Sequence, residues 1–167
     1  MSFRKRFTLA LVRNAEEVLL GLKKRGFGEG KWNGFGGKVE AGESIHDAAV
    51  RELREESGLI VENLKYIGIL DFEFAGDPKI LEVHVFTTSQ FTGQLVESDE
   101  MKPQWFSIQD VPFAKMWPDD EFWFPLFLKN EMFKGYFFYK DQDTIGHYTL
   151  SVVDELPSEN ISKMLEL

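Results

Sequence analysis

GKVEAGESIHDAAVRELREESGL, residues 37–59, joins a glycine-edged loop to a segment dense in glutamate. Residues 44–57 contain no Gly or Pro and are rich in Ala, Leu, Arg and Glu, which predicts a helix. Gly58 stands where a left-handed C-terminal stop belongs. On such a helix, residues three and four apart share a face, so Glu52, Glu55 and Glu56 project to one side within about one turn. Three carboxylates placed there repel one another, and Glu55 and Glu56 also lie at the negative end of the helix dipole. A charge run of this kind is ordinarily a solvated surface. Ile45, Ala48 and Ala49 point the same way, however, so the stripe packs inward or lines a cleft, where clustered carboxylates need cations. Oxygen-only ligands, without Cys or clustered His, select hard divalent ions, and Mg²⁺ is the natural occupant.

Outside this stretch the composition sets bounds. A chain of 167 residues is long enough for one self-sufficient core, so residues 1–156 are expected to form a single domain and residues 157–167 a C-terminal tail. Hydrophobic residues at 43% and charged residues at 28% are those of a globular chain. No apolar run approaches the roughly 20 residues needed to span a bilayer, so no membrane partner is expected. The opening MSFRKRFTLALVRN is interrupted at Arg13 and lacks a small-residue cleavage site, so no secretion signal is expected. The absence of cysteine removes disulfides, thiolate metal sites and thiol nucleophiles together. It fits a reducing compartment: the cytoplasm is expected, with the mitochondrial matrix and nucleus open. A net charge of -9 argues against nucleic acid as a partner, because phosphate neutralisation needs a basic face. A small anionic substrate would need local positive charge or a bound cation. The expected assembly is a monomer.

Along the chain, residues 7–12 (FTLALV) and 18–22 (VLLGL) read as a hairpin. Residues 64–75 and 80–91 read as strands joined by a tight turn at Gly76, Asp77, Pro78 and Lys79, with EVHVF at 82–86 suggesting one wetter face. Residues 104–108 form a short strand candidate. Trp117, Pro118, Asp119 and Asp120 read as a helix start continued through 121–131, and residues 136–139 and 148–153 as closing strands. In the tail, Ile161, Met164 and Leu165 could make one amphipathic turn, against the plainer reading of a frayed end.

The spacing in residues 37–59 carries a family resemblance. Gly37, five residues, Glu43, seven residues, Arg51-Glu52-Leu53, one residue, Glu55-Glu56, one residue, then Gly58-Leu59 resembles the complete signature of the Nudix hydrolases. The resemblance implies an α+β fold, an α/β/α sandwich with a mixed β-sheet between helices. It implies that Glu52, Glu55 and Glu56 hold Mg²⁺ ions, with backbone at Gly36 and Gly37 contributing a further ligand where glycine lets the chain come close. Arg51 is then an orienter that pairs with a glutamate of the signature, and Glu43 a helix-start acid. A phosphate-binding P-loop does not fit, since Lys38 is followed by Val39 rather than Ser or Thr.

Further stretches resemble the MutT-homologue branch, the oxidised purine nucleoside triphosphatases: LLGLKKRGFGEGKWNGFGGKVE, FEF at 72–74, ESDEM at 97–101, MWPDD at 116–120 and WFPL at 123–126. By that resemblance Asn33, Asp119 and Asp120 hydrogen-bond the base and Trp117 covers its face. Phe27, Phe72 and Phe74 line the pocket, Thr8 and Lys23 meet sugar or phosphate, and Glu100 is a metal ligand or general base. Helix capping is the plain alternative for Asp119 and Asp120, and core packing for Trp123. Two adjacent buried aspartates cannot easily both ionise, so the pair is expected to share a proton whose position adapts to different purines. Leu81 departs from the pattern, standing where a pocket Met is usual. The implied activity is Mg²⁺-dependent hydrolysis of oxidised purine nucleoside triphosphates such as 8-oxo-dGTP and 2-hydroxy-dATP to monophosphate and pyrophosphate, which sanitises the nucleotide pool. The alternatives are an ADP-sugar or dinucleoside polyphosphate as substrate, or a non-catalytic nucleotide-binding module. The attacked phosphorus and the proton-accepting glutamate stay open.

Overall fold

The structure is a computed structural model that describes residues 1–157; the amphipathic turn expected around Ile161 lies outside the described residues. In chain order the elements are β1 (Phe3–Arg13), β2 (Glu17–Lys23), β3 (Trp32–Asn33), α1 (Ile45–Ser57), β4 (Lys65–Phe74), β5 (Lys79–Thr88), β6 (Met101–Ser107), α2 (Asp120–Leu128), β7 (Met132–Asp141) and β8 (Thr144–Val153). The strands form one mixed sheet in the order β3-β2-β1-β5-β4-β7-β8, with β6 also pairing β2. β1 runs parallel to β5 and β4 parallel to β7, while the other pairings are antiparallel.

The period-2 alternation of the strands divides the core between two helices. Leu9 and Leu11 of β1 and Val18 and Leu20 of β2 pack with Trp123, Phe124 and Phe127 of α2. Their neighbours Ala10, Val12 and Leu19 turn to the opposite face and pack with Ile45, Ala48, Ala49 and Leu53 of α1. This is the sheet between helices that the resemblance implied. No helix among the described residues is long and apolar enough to cross a membrane.

The predicted hairpin of β1 and β2 forms only at its turn, where Val12 registers with Leu19 and Arg13 with Val18. Beyond that point residues 35–39 enter between the diverging strands. Ala10 exchanges backbone hydrogen bonds with Phe35, Thr8 N–H donates to Gly37 carbonyl at 2.9 Å, and Val39 N–H donates to Arg6 carbonyl. The wedge brings the glycine-rich loop against β1. An added Cβ on Gly36 would lie 1.7 Å from the Thr8 carbonyl oxygen, so only glycine fits there.

α1 begins and ends where its sequence says. Ser44 caps the N-terminus by accepting from Asp47 N–H, and Gly58 closes the helix at φ 84°. The second helix is shorter than expected: it stops at Leu128, and Asn130 takes a left-handed φ of 61° that turns the chain into β7. The face of β5 expected to be wet is also different. Glu82 and His84 are buried, with His84 Nε2 at 2.7 Å from Glu82, Tyr66 Oη at 2.8 Å from His84 Nδ1, and Arg6 Nε donating to Glu82 at 3.1 Å. Burial pushes the Glu82 carboxyl up, but His84, Arg6 and Arg4 outweigh it and hold it below its ordinary range. The charge partners that permit burial, Arg4 and Arg6, come from β1, distant in sequence.

Candidate active site

The wedge loop and α1 build one end of the site. Gly36 N–H donates to Glu56 Oε1 at 2.9 Å, which ties the loop to the last turn of the helix. Thr8 Oγ1 stands 3.5 Å from both the amide nitrogen and the carbonyl oxygen of Gly37. A Cβ on Gly37 would approach the Glu52 carboxylate to 2.6 Å, so this glycine leaves room for an acid beside the backbone.

The three box glutamates do not share one environment. Steps of about 100° per residue put Glu56 and Glu52 nearest the centre of the Ile45, Ala48, Ala49 stripe and Glu55 at its edge. Glu56 is accordingly buried, whereas the Glu55 side chain is 58% exposed. Burial pushes Glu56 up to about 7 against the opposing pull of the Gly36 amide. Burial also raises Glu52, with Arg51 pulling the other way.

Arg51 does more than pair with one glutamate. Its guanidinium donates to Glu43 through Nε at 3.0 Å and Nη2 at 2.7 Å, and to Glu52 at 3.0 Å and Glu55 at 3.3 Å through Nη1. The bidentate contact holds Glu43 below its ordinary range and uses the fork geometry that only arginine offers. Glu43 also accepts from Glu40 N–H, so it braces the loop before the Ser44 cap. Lys23 and Arg25 both pair with Glu100, at 3.2 and 2.8 Å. Among the described residues no three acids or histidines converge into a tight ligand cluster. Glu52, Glu55 and Glu100 pair with cations of the chain instead, and Glu56 with the Gly36 amide.

Lys23, Gly36, Gly37 and Glu56 line a cavity of about 730 Å³, a size suited to a nucleotide-scale ligand. Its other end is aromatic and closed by Asp119 and Asp120. Trp117 lies 5.0 Å from Phe27 and 6.2 Å from Phe74, ring centre to ring centre, and Phe72 stacks on Phe137 at 5.8 Å. Asn33, Thr8 and Leu81 also line it. Lys31 Nζ stands 5.2 Å over the Trp117 ring, a cation-π contact. The cavity therefore holds every expected substrate contact: Thr8, Lys23, Phe27, Asn33, Phe72, Phe74, Trp117, Asp119 and Asp120. Glu52, Glu55, Arg51 and Glu100 stand outside its lining.

Helix capping does not account for Asp119, whose side chain makes no cap hydrogen bond. Instead Tyr139 Oη donates to its Oδ1, Trp123 Nε1 donates to its Oδ2 at 2.8 Å, and Asp119 N–H donates back to Tyr139 Oη at 3.0 Å. Trp123 is thus both a core residue and a hydrogen-bond donor to Asp119, beyond its expected packing role. Burial raises both aspartates. For Asp119 the Tyr139 and Trp123 bonds oppose the rise, whereas for Asp120 the charge of Asp119 adds to it. Asp120 Oδ2 is buried without a hydrogen-bond partner in the structure. Tyr139 was missed as a site residue: it reads only as a strand residue until β7 is laid beside β4, where Tyr139 registers with Phe74.

A cavity with an acid-lined glycine loop at one end, fed by a helix with this signature, defines a class, and residues 3–127 match the NUDIX domain. The chain belongs to the Nudix family, as a hydrolase of that family. Among particular relatives, it is 53% identical to the oxidized purine nucleoside triphosphate hydrolase of Mus musculus over 154 residues, 92% of this chain and 99% of that one. It is also 53% identical to the protein of the same name from Danio rerio, over 91% of this chain and 97% of the other. The crystal structure of a MutT protein from Bacillus halodurans superposes with a TM-score of 0.79 at 30% identity, covering 88% of this chain and 97% of that one.

Proposed function

We propose that the protein hydrolyses oxidised purine nucleoside triphosphates, 8-oxo-dGTP and 2-hydroxy-dATP among them, to the monophosphate and pyrophosphate. The observation that carries the reading is the buried Asp119 and Asp120 pair at the aromatic end of the cavity whose other end is Glu56 and the glycine loop. An aromatic slot with paired carboxyls reads the edge of a purine, which offers N–H donors beside a carbonyl or ring-nitrogen acceptor. The names of the mouse and zebrafish relatives support the same substrate class.

The donor set fits a hard divalent cation. It is oxygen only, and Glu52 and Glu56 are carboxylates raised by burial, which an adjacent cation would relieve. Glu52, Glu55, Glu56 and Glu100, with backbone at Gly36 and Gly37, would hold Mg²⁺. Bound there, the ion supplies charge stabilisation to phosphate oxygens and to the leaving pyrophosphate. Recruiting Glu55 requires its side chain to leave Arg51, an exposed pair that is cheap to break. Arg51 keeps Glu52 oriented through its hold on Glu43. Lys23 and Thr8 meet the phosphate and sugar, while Trp117 covers the base. Water adds to the α or the β phosphorus, the P–O bond that bridges the two breaks to give monophosphate and pyrophosphate, and the proton of the water passes to a carboxylate of the signature.

The reading takes the protein as a monomer acting on free nucleotides in the cytoplasm. Its test is turnover of a nucleotide panel with Mg²⁺ and identification of the products. Preference for 8-oxo-dGTP with release of pyrophosphate is expected, and preference for ADP-ribose would overturn it.

A further inference from the structure

Tyr139 sits on β7, fully buried, its ring stacked 5.1 Å from Phe74 and its hydroxyl turned to Asp119. The hydroxyl is fully used. It accepts from Asp119 N–H and donates to Asp119 Oδ1, while Trp123 donates to Oδ2. Both oxygens of Asp119 therefore receive a buried donor, an arrangement that is strongest when the acceptor is an ionised carboxylate. Asp120 has the opposite surroundings. Among the described residues its Oδ2 is buried with no hydrogen-bond partner; the Trp117 backbone gives the carboxyl one bond, and Lys31, whose charge acts on it, is shared with the Trp117 face and with Asp143 at 3.3 Å.

We propose that the Tyr139 hydroxyl is a positioning group that keeps Asp119 as the acceptor and the shared proton on Asp120, and thereby sets which purine edge this pocket prefers. The proposal rests on the reading of the cavity as a purine pocket. Moving the proton to Asp119 would spend two buried donors on a neutral acid and leave Asp120 ionised with its Oδ2 unpartnered. The edges of the two substrates run in opposite orders. Guanine and 8-oxoguanine present acceptor, donor, donor at O6, N1–H and the 2-amino group; the oxo form of 2-hydroxyadenine presents donor, donor, acceptor. A protonated Asp120 beside an ionised Asp119 matches the first order, with O6 against the Asp120 hydroxyl and the N–H groups against Asp119. Reading the second order in the same pose needs the proton exchanged, which Tyr139 opposes.

Two measurements test this. The first is kcat/KM of wild type and Tyr139→Phe for 8-oxo-dGTP and 2-hydroxy-dATP across pH 6 to 9. Removing the hydroxyl is expected to lower the 8-oxo-dGTP preference about tenfold, since a buried hydrogen bond to a charged group is of that order. The preference should also become pH-dependent in the variant. An unchanged ratio, or an equal loss on both substrates through kcat alone, would overturn the proposal. The second is the side-chain carboxyl ¹³C titration of Asp119 and Asp120 in the substrate-free protein. At neutral pH, Asp119 is expected ionised and Asp120 protonated in wild type, with the distinction reduced in Tyr139→Phe. A protonated Asp119 in wild type, or identical titrations in the two proteins, would overturn it. Absence of turnover of both substrates by wild type would count against the proposed function, while the carbon titration would still decide the role of Tyr139.

Discussion

Gly36 donates its amide to Glu56 across 2.9 Å and so ties the wedge loop to the last turn of α1. The same loop is threaded against β1 so closely that the two glycines have different tolerances. A Cβ at Gly36 would overlap the Thr8 backbone carbonyl, at 1.7 Å, which has no way to yield. Gly36→Ala is expected to prevent stable folding, seen as loss of the cooperative thermal transition. At Gly37 the obstacle is the Glu52 carboxylate at 2.6 Å, a side chain that can swing aside. Gly37→Ala should fold and lose roughly 100-fold in kcat through a misplaced Glu52, with KM little changed.

Glu56→Gln separates chemistry from stability. Glutamine can still accept from Gly36 N–H, so the fold is kept, while kcat should fall by about 100-fold or more. In wild type without metal, the carboxyl is raised from its ordinary value to about 7. The folded protein then binds a proton that the unfolded chain releases, so this contribution is fully present below about pH 4.5 and lost as pH rises through about 7. In EDTA, wild type should therefore lose stability between pH 5 and 8, on the order of 2 kcal/mol, and Glu56→Gln should lose less. Parallel pH slopes of Tm for the two proteins would refute the assignment.

Asp119 carries structure as well as recognition. Asp119→Ala strands the Trp123 indole N–H and the Tyr139 O–H in the core, each an uncompensated buried donor costing about 1–3 kcal/mol. A clear drop in Tm should accompany its loss of base discrimination. Asp119→Asn keeps an acceptor at that place, so its Tm should lie between those of wild type and Asp119→Ala. Base preference should change in both variants.

Arg51→Lys tests the fork. A lysine ammonium cannot give Glu43 two parallel bonds while holding Glu52 and Glu55. We expect kcat to drop about tenfold, with a stability loss of about 1 kcal/mol, because the pairs are partly exposed. A Tm unchanged with full activity would remove Arg51 from the orienting role.

The helix and its signature were legible in the sequence because both are local: Ser44, Gly58 and the apolar stripe act within a few residues. The helical steps that set Glu55 at the edge of that stripe and Glu56 near its centre are local too, whereas the partner of Glu56, the Gly36 amide, lies 20 residues away and is not. The pocket residues were legible only through resemblance; no spacing rule joins Asn33 to Trp117. Tyr139, and the burial of Glu82 and His84 against Arg6, depend on strand pairings between residues far apart in sequence, and no local pattern carries that information. The wedge between β1 and β2 is of the same kind: the glycines announced a close approach, but not its partner.

Turnover of 8-oxo-dGTP, dGTP, 2-hydroxy-dATP and ADP-ribose side by side, with products resolved, tests the central claim most directly. Both oxidised triphosphates are expected to be cleaved to monophosphate and pyrophosphate, 8-oxo-dGTP well ahead of dGTP, with ADP-ribose a poor substrate. Equal rates on 8-oxo-dGTP and dGTP, or ADP-ribose ahead of both, would contradict it.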